Sequence, residues 1–359
     1  MDVSGQVWRE HRSFAVHVLK ELGYGKGSME DRITDEISYL IKHIDETNGE
    51  PMNIHDVLTP SMSNNICHLV FGHRLDFNEP KRQTMDRMLD EASKVFSVIG
   101  VLMMTPLWLS QLMFKVVAMN KNKKFIKAFD VFNKEISSHQ KSFEVNNRVN
   151  DYIDGYLAEM EVRQRKDPNT HFTLPRLMAN CRAFFGAGSE TVRTTTEWLL
   201  LLSVRYSEHQ KRIHEEIDSV VGRDRSPCYA DRLLLSVRYS EHQKRIHSEI
   251  DSVVGRDRSP CYADRLHMPF TQAFICLAKD TSDGKQVIKT EALIPFSMGK
   301  RNCVGETLGR VEVFLYFVSL LQRYTISAAI DGTVVSLEET FGLTLQPKNP
   351  MILRFEKRV

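Results

Sequence analysis

Cysteine is scarce in this chain. Six residues (Cys67, Cys181, Cys228, Cys261, Cys276 and Cys303) are spread over 359 positions, and no two form a CxxC pair. That excludes a disulfide scaffold and points to a reducing compartment. Charge of one sign is lacking too. Lys and Arg number 48 against 46 Asp and Glu, a formal net charge of +2, so there is no electrostatic case for nucleic acid or an acidic partner. No apolar run is long enough to cross a bilayer: the longest, Val95–Leu109, is interrupted by Ser97, Gly100 and Thr105 and carries Pro106. The opening MDVSGQVWREHR is polar and charged, so it reads as neither signal peptide nor anchor, and the chain as written is expected to be soluble. What remains is ordinary globular composition, 42% apolar and 26% charged, which excludes wholesale disorder.

Most of the sequence carries a helical period. Gln6–Leu22 has apolar residues at Val7, Trp8, Phe14, Val18 and Leu22, then stops at Gly23 and Gly25. Asp31–Ile44 repeats the pattern, and further runs cover Ile54–Phe71, Arg82–Val98, Asn122–Phe143 and Asp151–Arg165. Leu174–Tyr206 is the longest. It is apolar nearly all round at Ala183–Ala187 and Trp198–Leu202, and is expected to run through the middle of the protein. Near the C-terminus, Tyr324–Ala329, Thr333–Leu337, Leu343–Gln346 and Met351–Phe355 are short runs set off by Asp331-Gly332, Gly342 and Pro347–Pro350, the pattern of small hairpin strands. The fold class is mainly α with a minor β part.

Residues 200–232 and 233–265 are one 33-residue block written twice, differing only at Glu215 against Ser248. Ankyrin modules share that period, but they diverge in sequence and come in longer arrays. Near-identity in two copies points instead to recent duplication of a coding segment or to a misassembled gene. Residues 1–359 are otherwise read as a single, partial domain.

The stretch richest in chemistry is Pro295-Phe296-Ser297-Met298-Gly299-Lys300-Arg301-Asn302-Cys303-Val304-Gly305. Cys303 sits between a glycine-bearing loop and an amphipathic helix, at the positive end of the helix dipole and two residues from Arg301. Both features suit a sulfur that donates to a metal as thiolate. Gly299 and Gly305 let the backbone turn sharply and approach a flat ligand, and Phe296 can shield the sulfur from water. A buried structural cysteine is the bland alternative, but five residue types at fixed offsets weigh against it. In the long helix, Ala187-Gly188 would let a flat group lie against the backbone. Glu190-Thr191 places an acid and a hydroxyl where they need solvent or hydrogen bonds, and such a pair can relay protons. Trp8 and Arg12, four apart, share a helix face and can both reach an anion.

The F-x-x-G-x-R-x-C-x-G run at 296–305 resembles the haem-binding loop of the cytochrome P450 family of haem-thiolate monooxygenases. Ala187–Val192 is similar to that family's oxygen-activation motif, with Val192 where Thr or Ser is usual, and Trp8–Arg12 to its W-x-x-x-R. Asn65–Arg74 and His209–Gly222 resemble microsomal members of the drug- and steroid-metabolising branch. The resemblance implies haem b (iron protoporphyrin IX) as cofactor. It implies Cys303 as axial ligand with Phe296 packed near it, and Trp8, Arg12 and Arg301 on the propionates. It further implies insertion of one atom of dioxygen into a small apolar organic substrate, with Glu190 and Thr191 organising proton delivery. Electrons would come from NADPH through NADPH-cytochrome P450 reductase, because no nicotinamide or flavin motif is visible. The implied location is the cytosolic face of the endoplasmic reticulum membrane, with Val95–Leu109 either ordinary core or a peripheral membrane contact.

The resemblance also exposes gaps. The family's E-x-x-R helix should follow His267–Ile275, but the chain passes at Cys276 into Leu277-Ala278-Lys279-Asp280. The other two E-x-x-R strings, Glu79–Arg82 and Glu190–Arg193, lie in a loop and in the oxygen helix. Main-sheet strands, the N-terminal anchor and the residues preceding the Trp8 helix are missing as well. An inactive pseudoenzyme or unstable fragment is therefore the alternative expectation, and a helical interaction module built on the doubled block a remote one.

Overall fold

The computed structural model describes residues 4–23, 27–103, 130–143, 149–228, 295–330, 332, 334–348 and 351–358, without the side chains of 92–103, 209, 212, 216 and 220. Helix dominates: α1 Gly5–Glu21, α2 Gly27–Asp45, α3 Ile54–Phe71, α4 Pro80–Met103, α5 (residues 130–142), α6 Tyr152–Lys166, α7 Leu174–Arg205, α8 Ser207–Val220 and α9 Glu306–Arg323. Five short strands complete it: β1 Met52–Asn53, β2 Tyr324–Ala328, β3 Glu339–Phe341, β4 Leu345–Pro347 and β5 Ile352–Lys357. The second copy of the repeated block, the junction at Cys276–Leu277 and residues 104–109 of the apolar Val95–Leu109 run lie outside the described residues. No helix among the described residues is long and apolar enough to cross a membrane.

These residues divide into two compact units, Met1–Lys211 with Thr307–Val359, and Arg212–Glu306. In the first, α3 and α7 form the most extensive helix pair. Their close approach has a local cause. A Cβ on Gly188 of α7 would lie 2.5 Å from Ile66 Cδ1 of α3, so only glycine leaves room for the isoleucine. Along α3, Ile54, Leu58, Met62, Ile66 and Val70 are buried, and α9 buries Val311, Phe314, Leu315, Val318 and Leu321. Burial on this scale, roughly 25 cal/mol for each Å² of apolar surface, is what holds such helices in place.

The sheet is antiparallel in the order β1-β5-β2, with Met52 opposite Leu353 and Ile326 opposite Phe355. Leu353 and Phe355 face the core while Ile352 and Glu356 point outward, the two-residue alternation of a half-buried strand. The Gln210 side chain serves β2 as a further partner: its amide nitrogen donates to Ile326 O and its carbonyl oxygen accepts from Ile326 N, both at 2.9 Å.

One expected strand does not form. Residues 334–337 of the Thr333–Leu337 run have no regular structure, and pairing falls on Glu339–Phe341 instead. The turn at Gly342–Thr344 sets a register that puts Glu339 opposite Pro347 in a pair that exchanges no hydrogen bonds, so the missing N–H of proline costs nothing there, and Lys348 N donates to Glu338 O at 2.9 Å one step beyond. In the second unit the described residues are the end of α8, residues 221–228 and the loop 295–306.

Candidate active site

On α1, the four-residue spacing does what geometry requires. The Arg12 guanidinium lies 5.7 Å from the centre of the Trp8 ring, so both side chains occupy one half-buried face. His11, about 60° round the helix from Trp8, is buried and stacked on Phe172 at 4.4 Å, which fixes how α1 is turned. Glu10 adds a 3.0 Å ion pair to Arg163 of α6.

α7 is largely buried, but Ala187, Thr191 and Thr195, each four residues on, are exposed and form a stripe. Thr191 Oγ1 donates to Ala187 O at 2.7 Å, and Thr195 Oγ1 to Thr191 O at 2.8 Å. Both hydroxyls thus bond back onto their own helix. Glu190, about 100° round the helix from Thr191, is buried. Its Oε2 accepts from Arg193 Nη2 at 2.7 Å and its Oε1 from Gln346 Nε2 of β4. The acid and the alcohol that the sequence sets side by side therefore diverge.

Arg193 is the centre of a wider cluster. Its Nη1 donates to Glu197 Oε1 at 2.6 Å and lies 2.8 Å from His55 Nδ1 on α3. His55 Nδ1 is 3.0 Å from Glu197 Oε1, and its Nε2 is 3.4 Å from Asp90 Oδ1 on α4. Burial disfavours charge on both bases, yet the carboxylates win. Glu197 and Glu190 hold Arg193 above its usual range, and hydrogen bonds to Asp90 and Glu197 push His55 up to about 9. The spacing Glu190, Arg193, Glu197 is an acid–base–acid ladder on one helix face; its first half is the Glu190–Arg193 E-x-x-R string already noted in the oxygen helix, and Glu197 completes it. His55 and Gln346 carried no sequence signal, because tertiary packing alone brings them here.

The loop before α9 is compact. Phe296 O accepts from Cys303 N at 2.8 Å, closing it, and Gly299–Arg301 forms a single 3₁₀ turn. Gly299 has φ +78°, which L-residues rarely adopt, and the side where a Cβ would project is open. Cys303 is a free, exposed thiol. Phe296 is half-buried and Arg301 exposed. A Cβ on Gly305 would sit 3.7 Å from the Cys303 sulfur, an ordinary contact. One accessible thiol on a closed, glycine-hinged loop is a donor set that fits a single axial thiolate better than a multi-cysteine metal centre. Gly188, expected beside a flat group, turns its bare side to Ile66 instead, whereas Ala187 is exposed.

Comparison with known proteins now bears on these features. The family model for cytochrome P450 matches residues 2–237, 233–276 and 280–354. Curated relatives include cytochrome P450 2H1 of Gallus gallus, 33% identical over 353 residues, covering 91% of this chain and 70% of that protein. Cytochrome P450 2J2 of Homo sapiens is 31% identical with 96% and 72% covered, and cytochrome P450 2C28 of Mesocricetus auratus 31% identical with 94% and 74% covered. The closed cysteine loop and the threonine-bearing helix thus sit in a sequence matched along most of its length, and the chain belongs to the cytochrome P450 family of haem-thiolate monooxygenases.

Proposed function

We propose that this cytochrome P450 inserts one oxygen atom of dioxygen into a small apolar organic substrate, with Cys303 as the iron ligand and electrons from NADPH through NADPH-cytochrome P450 reductase. The carrying observation is the exposed Cys303 thiol on its closed loop. When bound, haem b supplies dioxygen activation, with thiolate donation favouring O–O cleavage. The chain supplies everything around that chemistry. Cys303 donates its sulfur, and the loop backbone holds that sulfur in place. Trp8, Arg12 and Arg301 offer the donors for two propionates. Ala187 gives a flat group room beside α7. Thr191 holds a proton at Oγ1 beside that exposed stripe, and Glu190 is the nearest acid in sequence able to replace it. The placement we propose is the cytosolic face of the endoplasmic reticulum membrane, with peripheral contact through Val95–Leu109.

A second reading, a chain that loads haem poorly and is inactive, is favoured by one observation: residues 275–280 pass without an E-x-x-R helix. Cys303→Ser separates the two. In a haem-loaded full chain, the reduced carbon-monoxide Soret band of thiolate-ligated haem should appear and be lost in the variant. A thiolate band surviving in Cys303→Ser would assign the ligand elsewhere, and its absence from the parent chain would support the inactive reading.

A further inference from the structure

The cluster around Arg193 is larger than an acid–alcohol pair needs. Glu190, Arg193 and Glu197 are each at most 2% exposed, and a buried charge is retained only where its partners compensate it. Both oxygens of the Glu190 carboxylate are held, one by Arg193 and the other by Gln346, so its orientation is fixed. The second guanidinium nitrogen of Arg193 is committed to Glu197 and His55. The planar fork of arginine makes this bridge possible, where a lysine would present one point charge.

We propose that Arg193 is a positioning residue for Glu190. It clamps the acid onto the buried side of α7, away from the Thr191 stripe, and ties its setting to His55 on α3. The inference rests on the reading that Thr191 and Glu190 manage protons for oxygen activation. Three groups face His55, namely Arg193 and Glu197 from α7 and Asp90 from α4, and Glu190 reaches it through Arg193. With Arg193 in place, a change at Glu190 redistributes the guanidinium between the two acids and is felt at His55. Without it, that link is gone. Freed from the clamp, Glu190 can swing toward the stripe, so proton supply to the site changes.

The first test needs no haem. The ring of His55 in the isotope-labelled full chain is titrated by NMR in the parent, Glu190→Gln, Arg193→Gln and the double variant. Glu190→Gln should move the His55 midpoint in the parent background and leave it unmoved in the Arg193→Gln background. Arg193→Gln alone should raise it, because a positive neighbour is removed. If Glu190→Gln moves His55 equally with and without Arg193, or in neither background, the proposal is overturned. Should Arg193→Gln fail to fold, Arg193→Lys takes its place, with partial loss of the coupling expected. The second test uses haem-loaded chain with reductase and ethoxycoumarin as probe. Hydrogen peroxide released per NADPH consumed should change several-fold, in the same direction, in Arg193→Lys and Glu190→Gln. Wild-type values in Arg193→Lys would overturn the clamp. If the parent loads no haem, the proposed function fails while the His55 titration still decides the role of Arg193.

Discussion

At position 188 a single methyl group decides how near two helices can come. Gly188 leaves only 2.5 Å between a would-be Cβ and Ile66 Cδ1, so Gly188→Val should overpack the α3–α7 contact and cost about 1–3 kcal/mol. Adding Ile66→Ala should recover part of that loss, because the two changes are in contact and non-additive. Denaturant unfolding of the two single variants and the double variant measures the coupling, and simple additivity would show that the glycine is not held by Ile66. The chemistry of this residue was legible in sequence as a bare patch of backbone, but its neighbour was not. Spacing along one helix gives an angle round that helix and says nothing about what packs at that angle. The same limit applies to Glu190. Its need for solvent or a hydrogen bond followed from an acid in an apolar helix, but which group would meet that need did not, and Arg193, three residues on, is one that does.

Among whole elements, α9 carries an acid with no obvious reason to be there. Glu312 is 1% exposed and neither carboxyl oxygen has a hydrogen-bond partner among the described residues. Burial pushes it up to about 8. The folded state therefore holds a proton that the unfolded chain releases near its ordinary value of 4.5, and native stability must fall as pH rises from there to about 8. Glu312→Gln should remove that fall, on the order of a few kcal/mol at alkaline pH and nothing in acid. Urea unfolding at both ends of the window checks it, and equal stability gain at every pH would point to packing rather than charge. His55 acts in the same direction over a later window. Its raised value lends stability below its ordinary value of 6.5 that is lost through about 9. Helices such as α3 could be bounded from sequence because their apolar period is long. β1 could not, since two residues, Met52 and Asn53, carry no period and pair with a strand about three hundred positions away.

For the molecule as a whole, the matched family segments break where the sequence itself is irregular. They overlap at 233–237, where the second copy of the block begins, and leave 277–279 unmatched, beside the junction after Cys276. If the second copy adds no essential contact, deleting residues 233–265 should leave the unfolding midpoint and helical circular dichroism of the full chain unchanged. A large drop in either would show that both copies are built into the fold. Sequencing the transcript across both places decides whether the duplication and the jump are encoded. Fold class was readable from the helical period that most of the chain carries, and the family from the 296–305 run, whose residue types stand at fixed offsets.

The short β3–β4 ribbon is fastened to α7 along its length. Thr344 meets Thr194 at 3.1 Å, Trp198 Nε1 donates to Leu345 O at 2.8 Å, and Gln346 donates to Glu190. A single proteolytic nick near Gly342 would thus reach the ionic interior of the longest helix from the far end of the polypeptide. Integrity of that C-terminal ribbon and the charge balance within α7 stand or fall together.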